Sequence, residues 1–185
     1  MKHLIFLLEE ASAKAMLEGL LPRMLPADVF PKYIVFEGKS DLEKQLERRL
    51  KGWLAPDSLF VVLRDQDSGD CVAIKTRLVE KCQRANRPTT LVRVACRELE
   101  SWYLGDLAAV ENALQIRNLA RHQSTRKYQE PDKLGQPSEE LSRLTNGRYQ
   151  KVAGSRDIGL QLAFEGNYSR SFQFFISGIR KILGL

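Results

Sequence analysis

Carboxylates recur in this chain where apolar runs stop. Glu9 and Glu10 follow the run at 4–8, Asp65 and Asp67 follow the run at 59–63, and Glu98 and Glu100 follow the run at 90–95. Each run is strand-sized. In a parallel sheet the C-terminal ends of the strands lie along one edge, where such folds bind ligands. Carboxylates gathered there repel one another unless a cation or a shared proton neutralises them. Mg²⁺ does this with one or two carboxylates plus water and phosphate oxygens, and Mn²⁺ accepts the same hard donors. The pattern therefore proposes a metal-dependent phosphate site.

Asp65-Gln66-Asp67 is the strongest of the three groups. Residues i and i+2 of an extended segment point to the same side, so two carboxylates there can share or bridge divalent ions. The competing reading is a turn, because Ser68, Gly69 and Asp70 come next. Glu9 and Glu10 also suit the positive end of a following helix. That accounts for one glutamate but not for three strand ends sharing the property. Glu98 and Glu100 stand at a strand-to-helix junction and could complete the site, or one of them could be solvated. Trp102 and Tyr103 read as core anchors of that helix, and Asp106 as the cap of the next. Gly38-Lys39-Ser40 looks like the end of a P-loop, but the glycine required five positions earlier is Tyr33, which excludes that nucleotide site. His122 reads as an inert exposed histidine, and no serine or cysteine nucleophile arrangement is recognisable.

The elements that must position these groups alternate through the first half. Strands are expected at about 2–8, 33–36, 58–63 and 89–95. Leu17, Leu20, Leu21 and Met24 mark the first helix, which Pro26 and Pro31 break. Ser40 or Asp41 can cap the second, along which Leu42, Leu46, Leu50 and Trp53 repeat. Cys71, Ile74, Leu78 and Cys82 form the inward face of the third. Four strands separated by helices predict an α/β fold with a parallel sheet and right-handed crossovers. Residues 1–114 are expected to form this core. Residues 115–185 read as a basic loop and helical extension packed on it, one domain overall. Helices are expected at 98–104 and 107–114. The polar stretch 115–146 reads as a long loop with a short helix at 138–144. The last helix carries Phe172, Phe175, Ile176, Ile179 and Leu183 on a stripe that suits packing against the sheet.

The chain has 185 residues and a formal net charge of +6; 43% of its residues are hydrophobic and 28% charged. Those values predict a soluble globular protein with material for a real core. No apolar run reaches membrane-spanning length. The first run is interrupted by Glu9-Glu10 with no small-residue cleavage site after it, so it reads as a strand rather than a signal peptide. Three cysteines without a C-x-x-C pair argue against a zinc ribbon or disulfide framework and for a reducing cytoplasm. Two histidines make a histidine-rich metal site improbable. Residues 115–156 hold nine Lys or Arg against four Asp or Glu, and this basic surplus beside an acidic edge suits a polyanion. A solvated basic face is the plainer reading.

The arrangement resembles the Toprim domain of topoisomerases, primases and overcoming-lysogenisation-defect nucleases. In that pattern a glutamate after strand one and an Asp-x-Asp after strand three bind Mg²⁺ for phosphodiester chemistry. Glu9, Asp65 and Asp67 match it; Glu37 does not, because no strand separates it from Asp65, whereas 56 positions and one strand separate Glu9. Glu10 stands where Toprim domains usually have glycine.

Over nearly its whole length the chain is similar to a Toprim-related domain of unknown function, family 4276. The similarity rests on Leu8-Glu9-Glu10-x-Ser12, Asp65-x-Asp67, Arg97-Glu98-Leu99-Glu100-Ser101-Trp102-Tyr103, Lys127-Tyr128-x-x-Pro131-Asp132 and Tyr149-x-Lys151. It implies a Mg²⁺- or Mn²⁺-dependent nuclease acting on DNA or RNA, in phage defence beside an ATPase partner, with an oligomer compatible. Glu9, Asp65 and Asp67 would hold the metal, Glu98 or Glu100 would add a further contact, and Arg97, Lys151 and Arg156 would meet phosphate. Glu9 could instead serve as a general base. The alternative is a non-catalytic metal- or partner-binding module of an ATPase complex. A receiver-type phosphotransfer domain fits less well, given the long polar tail after Leu114.

Overall fold

The apolar runs become one all-parallel sheet. The structure is a computed structural model that describes residues 2–185. Strands β1 (Lys2–Leu8), β2 (Val29–Val35), β3 (Ser58–Asp65) and β4 (Leu91–Ala95) lie in the order β2-β1-β3-β4. Central β1 is buried from Leu4 to Leu8 without alternation, because helices cover both faces of the sheet.

Sequence direction dictates which helix covers which face. The chain moves one way from β1 to β2 and the other way from β2 to β3 and β4. Right-handed crossovers must then place the first helix on one face and the next two on the other. Helix α1 (Ala11–Leu20) packs Met16, Leu17 and Leu20 against Leu4, Phe6, Leu8, Val61 and Leu63. Helices α2 (Lys39–Lys51) and α3 (Cys71–Arg84) pack Leu42, Leu46, Leu50, Ile74, Leu78 and Cys82 against Ile5, Leu7, Phe60, Val62, Val92 and Val94. The α1 face continues through α4 (Glu100–Leu104), α5 (Leu107–Leu114), α6 (Arg126–Gln129), α7 (Pro137–Leu144), α8 (Lys151–Gln161) and α9 (Arg170–Leu183). Trp102 and Tyr103 are buried there, and Asp106 caps α5 by accepting the Ala109 N–H at 3.0 Å. Phe172, Phe175, Ile176 and Ile179 of α9 are buried as the stripe predicted, with Leu183 half-buried at the edge.

Several local expectations change. Pro31 does not end the first helix; it lies inside β2, paired with Leu4. β2 is an edge strand, where a residue without an N–H leaves no ladder bond unmade. The N-cap of α2 is Gly38, while Asp41 reaches back from the first turn to accept the Glu37 N–H at 3.1 Å. Cys71 is half-buried and packs at the margin of the inward face, because it begins α3 at the rim. The polar stretch 115–146 carries the expected short helix as α7, but the rest of it is built of further short elements rather than one long loop. It holds α6, α7 and two short 3-10 turns, Ala120–Ser124 and Pro131–Lys133. Side chains hold its backbone: Glu111 accepts the Leu119 and Ala120 N–H groups at 2.6 and 2.8 Å, and Gln123 Nε2 donates to Tyr128 O at 2.8 Å while its Oε1 accepts the Leu107 N–H at 2.7 Å.

Helix α8 has no counterpart among the expected elements. It packs along α1 so closely that a β-carbon on Gly159 would stand 2.3 Å from Met16 O, and one on Gly19 would stand 2.7 Å from Arg156 O. This backbone-to-backbone seam fixes the start of α8 beside the end of β1. Among the described residues no helix is long and apolar enough to cross a membrane.

Candidate acidic site at the strand ends

The strand order reverses at β1, so the crevice outside the C-terminal ends of β1 and β3 is the switch point where open α/β sheets bind ligands. Glu9 is the first residue beyond β1 and Asp65 is the last of β3. The main chain of Glu9 is held from both sides, by Leu63 O at 3.3 Å and by the Gly38 N–H at 3.1 Å. Gly38 needs to be glycine at φ 88°, ψ −179°. The Glu9 side chain turns across to β3, where Oε2 accepts the Asp65 N–H at 3.1 Å. Buried Arg64 lies 3.8 Å from the same oxygen and pairs also with Glu43.

Negative charge accumulates behind this contact. Burial pushes the Asp65 carboxyl well above its ordinary range, and the charges of Glu100, Glu9 and Glu10 push it further. Burial likewise raises Glu9, opposed by the Asp65 N–H and reinforced by Asp67. Glu100 is buried at 1% exposure; burial raises it and the Tyr149 hydroxyl, donating at 2.8 Å, opposes the rise. Lys151, the first residue of α8, reaches Glu10 at 2.8 Å. Burial works against its charge, but Glu10, with Glu100 and Asp65 beyond, holds it above its ordinary value. Tyr103 lies buried beside Tyr149, and its hydroxyl has no hydrogen-bond partner among the described residues, the nearby Ser155 hydroxyl being spent on Lys151 O at 2.5 Å.

The remaining acids are turned elsewhere. Asp67 has a left-handed backbone, φ 55°, and its carboxylate meets Lys39 Nζ at 2.6 Å. Arg97 is also left-handed, φ 62°, an uncommon state for its residue type. The two bends face each other: the Asp67 N–H donates to Arg97 O at 2.7 Å, and the Arg97 N–H to Gln66 Oε1 at 3.0 Å. Glu98 Oε2 accepts the Ser138 N–H at 2.7 Å in the first turn of α7. Asp67, Arg97 and Glu98 line a cavity of about 230 Å³.

The structure therefore gathers Glu9, Asp65, Glu100 and Lys151, with Asp67 and Arg97 beside them. Arg156 is not gathered; it lies further along α8 and pairs with Glu18 of α1 at 3.0 Å. Lys39 and Arg64 belong to the site although the spacing of acids gave them no role there, and Glu10, which that spacing grouped with Glu9, pairs with Lys151. A lysine directly after the glycine that ends the β2 turn was the available signal for Lys39.

A divalent ion fits this donor set in kind, since every donor is a carboxylate oxygen and the Asp65 carboxyl has the charges of Glu100, Glu9 and Glu10 against it. Among the described residues, however, no three acidic, histidine or cysteine side chains stand close enough to hold one ion as placed. Asp67 is paired with Lys39, whose ammonium takes a cation's place. A family model described as a domain of unknown function, DUF4276, matches residues 8–180. The chain belongs to that family. No curated protein and no solved structure matches it. The DUF4276 match takes in every acid of the strand ends, the β3 bend and Lys151.

Proposed function

We propose that this DUF4276 chain is a divalent-cation-dependent phosphodiesterase of Toprim type that acts on nucleic acid. The observation carrying the reading is the Glu9–Asp65 contact with Glu10 and Glu100 behind it, a surplus of negative charge at the switch point. Glu9, Asp65 and Asp67 would hold Mg²⁺ or Mn²⁺, Asp67 turning from Lys39 to do so. When bound, such an ion polarises a phosphoryl oxygen and lowers the pKa of water. Lys151, pinned beside Glu10, and Arg97, beside Asp67, would meet phosphate oxygens. Glu100 adds negative charge behind Asp65 and is itself oriented by Tyr149. The basic surplus of residues 115–156 favours a polyanion over a neutral substrate. The Toprim kinship, a place in phage defence and an ATPase partner rest on the resemblance of motifs.

A second reading is a non-catalytic module. The observation favouring it is that each acid already has a protein partner: Asp67 has Lys39, Glu10 has Lys151, Glu100 has Tyr149 and Glu98 has the Ser138 N–H. A cleavage assay on DNA, RNA and tRNA with Mg²⁺, Mn²⁺ or EDTA separates the two. The phosphodiesterase cuts at least one substrate with metal and stops in EDTA and in Asp65→Asn. A folded chain that binds the ion but cuts nothing supports the module, and cutting that survives Asp65→Asn with Asp67→Asn overturns the assignment.

A further inference from the structure

A second cavity lies at the β4 edge of the sheet, with a volume of about 480 Å³, within the range of small-molecule sites. β4 pairs with β3 alone. The Gln66 N–H bonds Ala95 O at 2.9 Å, so Leu91, Arg93 and Ala95 turn their peptide groups inward and Val92 and Val94 turn theirs out. The groove outside them runs between α3 and α9.

An added peptide strand would find little to pair with here. The Cys96 N–H already donates to Ser171 Oγ at 3.3 Å, and Val92 O accepts Arg93 Nη1 at 3.0 Å, closing the edge at both ends. What remains is an apolar floor, the edges of Val92 and Val94, which are 3% and 7% exposed and otherwise packed into the core, and beside it Phe174 of α9, which is 63% exposed.

Charge around this floor is one-sided. Lys75 of α3 and Arg170 of α9 enter none of the ion pairs among the described residues. Arg93 bonds only to carbonyls, Phe174 O at 2.9 Å and Val92 O. The one acid on the lining, Asp132, is spent on the start of α9: it accepts the Ser169 hydroxyl at 2.6 Å, the Ser171 N–H at 2.8 Å and the Ser171 hydroxyl at 3.2 Å. Three cations thus face an apolar floor with one pinned carboxylate between them. An aromatic face and aliphatic side chains take a flat ring system, and guanidinium and ammonium groups take its anion.

We propose that this groove binds a small aromatic molecule bearing a phosphate or carboxylate, with its ring against Phe174, Val92 and Val94 and its anion between Lys75 and Arg170. The site is separate from the acids at the strand ends and does not depend on the reading given for them.

The full chain can be titrated with the fluorescent anion 1-anilinonaphthalene-8-sulfonate and with its neutral relative N-phenyl-1-naphthylamine. One anion should bind per chain, about ten-fold more tightly than the neutral probe. Lys75→Gln with Arg170→Gln should weaken the anion about ten-fold and leave the neutral probe within about two-fold. Phe174→Ala should weaken both. All three side chains are exposed, so the variants keep the wild-type melting temperature as the folding control. 1-Naphthyl phosphate and 1-naphthoate, added as competitors, show which anion the cations prefer. Equal affinity for the two probes, an unchanged anion affinity in the double variant or in Phe174→Ala, or displacement by neither competitor overturns the proposal.

Discussion

Glu9 Oε2 accepts the Asp65 N–H at 3.1 Å, joining residues 56 positions apart. The bond exists because β1 and β3 are neighbours although β2 lies between them in sequence. It sets the Glu9 carboxylate against the peptide of Asp65 while leaving the Asp65 carboxylate to face Glu100 and Glu10. One contact therefore closes the switch point and concentrates charge there.

Replacing Glu9 by glutamine separates those two roles. The amide oxygen can still accept the Asp65 N–H, and one repelling charge disappears. Without divalent ions, Glu9→Gln should melt within about 1 kcal/mol of the wild type. With Mg²⁺ or Mn²⁺ added, the wild type should gain stability and the variant should gain far less. Thermal denaturation with and without Mn²⁺ reads both effects, and a variant that keeps the full Mn²⁺ shift removes Glu9 from the ligand set.

Tyr149→Phe tests what holds Glu100 behind Asp65. The lost hydroxyl donates to Glu100 at 2.8 Å and lies 3.1 Å from Ser155 Oγ, all in the buried interior. Glu100 is left as a buried carboxylate without its donor, a loss of about 1–3 kcal/mol. Urea denaturation should show the midpoint falling with an unchanged slope. An unshifted midpoint means that the Tyr149 hydroxyl does not hold Glu100.

Glu9, Asp65 and Glu100 were legible in the sequence because a strand followed by an acid is a local pattern, and the alternation of elements implied a shared edge. The four strands and α1 to α3 were legible for the same reason, as apolar periodicity. Helix α8 was not, since its contact with α1 runs through Gly19 and Gly159 and leaves no apolar stripe to count. Residues 115–146 were obscured because bonds between distant positions hold them, Glu111 to the Leu119 N–H, Gln123 to the Leu107 N–H and Asp132 to the Ser171 N–H, which residue spacing does not encode. The left-handed bends at Asp67 and Arg97 also escaped, because neither position carries glycine.

Gly159→Ala should show how far the site depends on that hidden seam. The new methyl would meet Met16 O at 2.3 Å, and backbone on both helices leaves no flexible side chain to yield. Forced separation of α1 and α8 should cost about 1–3 kcal/mol. It should also shift the start of α8, loosening the ion pair of Lys151 with Glu10. Chemical denaturation gives the first effect. The second is read by Lys151→Ala, which should change cation binding in the wild-type background and much less in Gly159→Ala. Full stability in Gly159→Ala contradicts the close packing.

Acid stability should carry the mark of Glu140. Burial alone would raise its carboxyl, but Lys127 at 2.6 Å, the Tyr128 hydroxyl at 2.5 Å and Arg143 outweigh burial and hold it below its ordinary value of 4.5. A group depressed in the folded state stabilises the fold above its unfolded pKa, and loses that contribution as pH falls through the folded one. Glu140→Gln keeps an acceptor for Tyr128 and loses both ion pairs. Because Lys127 and Arg143 are largely in solvent, the loss at neutral pH should be about 1–2 kcal/mol. The difference between wild type and variant should be widest above pH 4.5 and close below it, as measured by urea denaturation from pH 3 to 7. A gap that stays constant across that range shows that the Glu140 charge contributes nothing and that only the shape of the side chain matters.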